Sequence, residues 1–162
     1  MIRDFSSGQA KAVFKLLWLL MALILLTLLA YLFVSEYYWE KIRVFQISQD
    51  RLVWIRTILY VLAIIAFPIT NLMRFIMVRL NQTMPGEASA KQRYFVTVLV
   101  SMISAGTIGM FGFIMFVLGD DYNTLYIFCV LSALAVFLYR PKMEEYLSIV
   151  EALQAQQEEA SD

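Results

Sequence analysis

The stretch YFVTVLVSMISAGTIGMFGFIMFVL, Tyr94–Leu118, contains no Asp, Glu, Lys or Arg. A helix of that length, rising about 1.5 Å per residue, outreaches a hydrocarbon core of about 30 Å. Backbone groups find no water inside a bilayer, so such a run reads as a membrane-crossing helix whose hydrogen bonds close internally. Three further runs surround it, Leu16–Val34, Val53–Met73 and Tyr122–Tyr139. The expected fold class is therefore all-α. It is an integral membrane four-helix bundle over residues 1–140, with spans at about 16–34, 53–73, 94–118 and 122–139, and an amphipathic cytoplasmic tail over residues 141–162.

Composition supports this reading and excludes several chemistries. The chain is 61% hydrophobic, against about 45–50% for a soluble domain. It has no histidine and a single cysteine, Cys129, inside the fourth run. An intramolecular disulfide, a zinc site of the common Cys/His kinds and a histidine-held haem are all excluded. No Asp, Glu or His lies in the middle of any run, so the titrating relay of a proton-coupled carrier is missing. There is no Cys-x-x-Cys for thiol oxidation, no Ser/His or Cys/His pair for hydrolysis, and no internal repeat. No catalytic residue, metal or cofactor is expected.

Lys11 and Lys15 before Leu16–Val34 have the look of a signal-peptide entry. That run exceeds the usual apolar region of about 7–15 residues, and Ser35–Glu40 offers bulky Tyr37, Tyr38 and Trp39 where a cleavage site needs small residues. The first run reads as an uncleaved anchor.

Charge placement sets the expected orientation. One side of a four-span layout carries Arg3, Lys11, Lys15, Arg74, Arg79, Lys91, Arg93, Arg140 and Lys142, and the other only Lys41, Arg43, Arg51 and Arg56. The basic side faces the cytoplasm, which places both termini there. Compactness and short loops favour a bacterial inner membrane. Tyr37, Tyr38, Trp39, Trp54 and Tyr122 suit the outer headgroup level, and Trp18, Tyr94 and Tyr139 the inner one.

Between the runs, Arg43–Ser48 partly alternates apolar and polar residues, which fits a strand or a short interfacial helix equally well. Gly119-Asp120-Asp121 reads as a tight turn that makes the third and fourth spans antiparallel neighbours. Asn81–Ala90, with Pro85 and Gly86, reads as a flexible loop, and the second helix is expected to continue to about Leu80. Asn81-Gln82-Thr83 matches a glycosylation sequon that would be idle in the cytoplasm. In the tail, Pro141 suits a first helical position, with Glu144 and Glu145 near the positive end of the helix dipole. Met143, Tyr146, Leu147, Val150 and Leu153 share one helical face, a stripe that needs the bilayer surface, the second-to-third loop or another protein to cover it.

Three constellations stand out as candidate sites. Ser101, Ala105, Gly109 and Gly112, widened by Gly106, form a small-residue face on the third run. Small residues let helix backbones approach in lipid, either inside the chain or against a partner helix or acyl chain. Pro68, Thr70 and Asn71 mark a kink and a polar pair that either face protein or sit at the membrane exit. Glu36 and Glu40, one turn apart, and Asp120 and Asp121 read as interfacial charge, with Arg56 placed to pair with an aspartate. Lys15 and Arg56 lie near run ends, where long basic side chains snorkel to headgroups.

The function expected from these features is a non-catalytic membrane subunit or assembly factor that works through helix contacts. The alternative is an oligomeric transport or lipid-handling component, which requires Thr70, Asn71 and the glycine groove to converge on one cavity. The expected partners are the lipid bilayer and other membrane subunits or a second copy of the chain, with no nucleic acid.

Overall fold

A computed structural model describes the backbone of residues 2–42, 47–83 and 89–159, and the side chains of residues 11–38, 40–41, 47–83, 89–156 and 158. The chain is all-helical: α1 (Ile2–Tyr37), a single turn α2 (Trp39–Ile42), α3 (Gln49–Thr83), α4 (Ala90–Val117), α5 (Tyr122–Leu138) and α6 (Met143–Glu159). No strand occurs among the described residues. The stretch that alternates falls largely on residues 43–46, outside them, and its described flanks are α2, two coil residues and the start of α3.

Three helices are long and apolar enough to cross a membrane by themselves, over Lys11–Tyr37, Gln49–Thr83 and Ala90–Val117. The fourth apolar run is shorter as a helix. With 17 residues, α5 reaches about 26 Å, at the lower limit for a span. It then bends by 42° into α6, and the two together also satisfy the length criterion.

Helix α4 is the hub, packed against α1, α3, α5 and α6, while among the described residues α1 and α3 scarcely touch each other. Its start is capped by Ser89, whose side chain accepts from the Gln92 amide. Its end is closed by two reverse bonds, Asp120 N–H to Met115 O at 3.0 Å and Gly119 N–H to Phe116 O at 3.1 Å. This closure needs a left-handed residue, and Gly119 supplies it at φ 99°. The chain turns back at once, so α5 runs antiparallel beside α4.

Two ends can be distinguished. Phe14, Tyr94 and Tyr146 meet at the tail end, with ring centroids 5.7–6.0 Å apart. At the turn end, the Tyr122 hydroxyl donates to Ser35 O at 3.1 Å and Arg56 pairs with Asp120.

The tail is not an unpartnered stripe. Helix α6 lies against α3 and α4, so the chain itself covers the inward face. That face is also rotated from the one the sequence suggests. Ile149 and Tyr146 are buried and Val150 and Leu153 partly so, whereas Met143 and Leu147 are 44% and 47% exposed. Tyr146, Ile149, Val150 and Leu153 occupy an arc of about 100° that leaves Met143 and Leu147 beyond its edge.

Helix α3 runs to Thr83, beyond the expected Leu80, and α4 begins at Ala90. Residues 84–88, which hold Pro85 and Gly86, lie outside the described residues.

Candidate functional site

The small-residue face is closed inside the chain. Ser101, Ala105, Gly109 and Gly112 are buried and Gly106 is half-buried. A Cβ on Gly109 would overlap Leu28 Cδ2 of α1 and press on Ser132 of α5. One on Gly112 would come within 2.7 Å of Phe128 Cβ and 3.2 Å of the Leu125 carbonyl. Gly106 is looser, with Ile24 Cγ2 at 3.7 Å. The Ser132 hydroxyl donates across the seam to Ala105 O at 2.7 Å. Of the two readings open to this face, the geometry matches packing of α4 onto α5 and α1.

A polar node lies at the tail end, where α3, α5 and α6 meet. Arg74 of α3 is 6% exposed and engages three nitrogens. Its Nη1 donates to Tyr139 O, its Nη2 to Arg140 O at 3.1 Å, and its Nε and Nη2 to Glu145 Oε2 at 3.2 and 2.8 Å. The last carbonyls of a helix lack intrahelical donors, and here the guanidinium supplies them while adding positive charge at the negative end of the dipole. Glu145, in the first turn of α6, is favourably placed for the opposite reason.

Two tyrosines complete the node, and both correct an expectation. Tyr94 and Tyr139 do not face headgroups: they are 0% and 2% exposed. The Tyr139 hydroxyl donates to Phe67 O at 2.8 Å, the carbonyl just before Pro68. The Tyr94 hydroxyl donates to Lys142 O at 2.8 Å and accepts from the Lys142 amide at 2.7 Å, which fixes the bend between α5 and α6. Beside them burial pushes the Tyr146 phenol up from its ordinary value of 10.0. Further out, Asn81 Nδ2 donates to Thr97 Oγ1 at 2.9 Å and to Arg93 O at 3.2 Å, tying α3 to α4. Gln82 Nε2 reaches Ser148 Oγ at 2.9 Å, and Gln156 Nε2 returns to Gln82 O at 2.9 Å, tying α3 to α6.

The kink and polar-pair residues separate. Pro68 is exposed within a continuous helix. Thr70 is buried and lines a cleft of about 320 Å³ between α3 and α4, with Ser104, Thr107 and Phe111. Asn71 is exposed and lines a different cavity of about 270 Å³ with Arg74, Phe75, Val78, Lys142 and Glu145. Gly109 and Gly112 line neither, so the convergence that a shared transport cavity requires does not occur there.

The remaining charges lie apart from these cavities. Glu36, Glu40, Asp121 and Lys15 are exposed, and Arg56 Nη1 meets Asp120 Oδ1 at 3.1 Å. Among the described residues, no three His, Cys, Asp or Glu side chains come together as a metal site.

Sequence reasoning passed over Arg74, Tyr139 and Glu145 as a unit, along with Asn81, Ser132 and Ile149. A signal was present for the first group. Arg74 interrupts an apolar helix, and a carboxylate stands just after the fourth run, a pairing that buried charge demands. Nothing in a lone serine such as Ser132 marks it as a cross-helix donor.

Comparison of the chain with protein-family models, curated proteins and solved structures returns no match.

Proposed function

We propose that the chain is an integral membrane protein of four spans, a four-helix bundle with both termini in the cytoplasm, that acts without catalysis as an accessory subunit or assembly factor. The observation that carries this reading is the exposure of α3. Along 35 residues it buries only Leu52, Ala63, Thr70 and Arg74 against the rest of the chain, and it turns Ile58, Ile64, Ile69, Leu72 and Phe75 outward. An apolar helix exposed over most of its surface needs lipid or other helices around it. Further support comes from the buried polar groups described above, which bond helices to one another rather than converging on a reacting centre. Contact with partners falls to the outward faces of α1 and α3, because the glycine face of α4 is occupied.

The test is extraction of the native protein into nanodiscs, followed by native mass measurement and identification of what co-migrates. A defined assembly with other membrane subunits is the expected result. A homo-oligomer carrying lipid and no second protein would replace this reading with the lipid-handling one. That alternative draws on the apolar cleft of about 370 Å³ between α1 and α5, lined by Leu25, Leu29, Leu32, Tyr126 and Val130.

A further inference from the structure

We infer that the cavity at the α3–α5–α6 corner is a binding site for an anionic phospholipid, its phosphate held by Lys142 and Asn71 and its chains laid along Phe75 and Leu138. The inference rests on the reading of the chain as membrane-embedded, and not on its being a subunit of anything larger.

Two side chains on this cavity have unmet bonding capacity. The Lys142 ammonium is exposed and makes no ion pair among the described residues, although its backbone is gripped by Tyr94. The Asn71 amide makes no hydrogen bond among them either, and it shares its helix face with Arg74, Phe75 and Val78. An amide left unsatisfied at the border of hydrocarbon is costly. An acceptor oxygen brought into the cavity would satisfy both groups.

The charge balance admits one anion. Arg74 and Lys142 set two positive charges against the single carboxylate of Glu145, leaving a net +1 on the lining. Arg74 already makes four hydrogen bonds, to Tyr139 O, Arg140 O and Glu145, and contributes its field, whereas Lys142 is free to move toward a ligand. A diester phosphate carries one negative charge and offers acceptors only, which matches an ammonium and an amide that donate.

The cavity is amphipathic in the manner of a phospholipid rather than of free phosphate. Asn71 and Lys142 line it beside Phe75, Val78 and Leu138, and Phe75 and Leu138 are largely exposed along the helix flanks. Position agrees, since Asn71 lies near the end of one apolar run and Lys142 just beyond another, at headgroup depth.

The experiment reconstitutes the full chain in nanodiscs of equimolar phosphatidylglycerol and phosphatidylcholine with matched chains, releases it into mild detergent, and counts retained lipids by native mass spectrometry. Phosphatidylglycerol is expected to be retained over phosphatidylcholine by about fivefold, the factor one basic side chain contributes at a headgroup. Lys142→Ala should bring the ratio close to one, and Asn71→Leu should lower the retention of both lipids because both carry the phosphate it donates to. Lys142→Arg should keep the ratio, and Arg79→Ala, an exposed base outside the cavity, should not change it. Thermal unfolding of each variant shows whether it retains its fold. Equal retention of the two lipids by the parent chain overturns the inference. So does an unchanged ratio in folded Lys142→Ala, an equal loss in Arg79→Ala, or displacement of the lipid by excess inorganic phosphate. Recovery of the chain in the soluble fraction after a carbonate wash of membranes would instead overturn the membrane reading beneath it.

Discussion

Helices α3 and α4 are almost equally apolar, yet they are held in different ways. Of its 28 residues α4 buries eleven, spread from Tyr94 to Phe116. Of its 35 residues α3 buries four. Where α4 has Ser101, Ala105, Gly109 and Gly112, neighbouring backbones approach and side chains interlock. The outward surface of α3 instead carries Ile64, Ile69, Leu72 and Phe75, each with half or more of its surface exposed. So α4 is fixed along its length by shape. Helix α3 is fixed near its ends by polar ties, Arg56 to Asp120 at one and Arg74, Asn81 and Gln82 at the other. Hydropathy places a helix in lipid, and the size pattern decides how closely it packs there.

Breaking the stronger of those ties should give the largest effect. Arg74→Ala leaves Glu145 and the terminal carbonyls of α5 without their donor. Loss of about 3 kcal/mol in detergent-denaturation experiments is expected, at the low end for a broken buried pair because Glu145 keeps some contact with solvent. Replacing both partners, Arg74→Met with Glu145→Met, should recover part of that loss, since no buried charge is then stranded. An Arg74→Ala midpoint equal to that of the parent would mean that α3 does not depend on this tie.

The seam is tested next. Gly109→Leu should lower stability by about 1–3 kcal/mol through overpacking against Leu28 and Ser132. Ile64→Leu on α3, at a position 66% exposed, should leave the midpoint unchanged. Equal sensitivity at the two positions would erase the distinction between the helices. A smaller effect is expected at the turn end. Asp120→Asn removes the charge that Arg56 faces while keeping an acceptor oxygen, and should cost roughly 1 kcal/mol, with little change in high salt because the aspartate is buried.

The smallest effect concerns alkaline pH. The Tyr146 phenol is neutral when buried and its folded-state value is raised, so the unfolded chain loses that proton first. Its contribution is complete below the ordinary value of 10.0 and is lost as pH rises through the folded value. Circular dichroism above that ordinary value should show the parent chain loosening more than Tyr146→Phe. Identical alkaline profiles would place the phenol outside the packed interface.

How much of this could be read from the chain depended on the kind of force involved. The apolar runs and the Gly119 turn were legible because length, a composition nearly free of charge and a turn glycine are local properties. The start of α6 was nearly so, with Pro141 in the bend and the helix opening at Met143. The small-residue face was also legible, but its partner was not, since nothing in Gly109 or Gly112 says whether the helix pressed against them is α5 or a foreign one. Arg74 read only as one of the bases on the cytoplasmic side because its acceptors, Tyr139 O, Arg140 O and Glu145, lie 65–71 positions away. The rotation of the α6 face had the same cause. Met143 and Leu147 are as apolar as Ile149, and only the positions of α3 and α4 choose among them.

The separation of Arg74 from Glu145, 71 positions along the chain, is also an interval of time. At a synthesis rate of about 5–20 residues per second, the arginine waits about 4–14 seconds for its carboxylate to be made. Throughout that wait α3 holds a cation with no counter-charge, and a bare arginine near hydrocarbon reaches back toward the headgroups. The tail end of α3 therefore gains its ties to Tyr139 O, Arg140 O and Glu145 late in synthesis, when α5 and the opening turn of α6 arrive. A nascent chain released before Glu145 lacks the ion pair that closes the corner between α3 and α6.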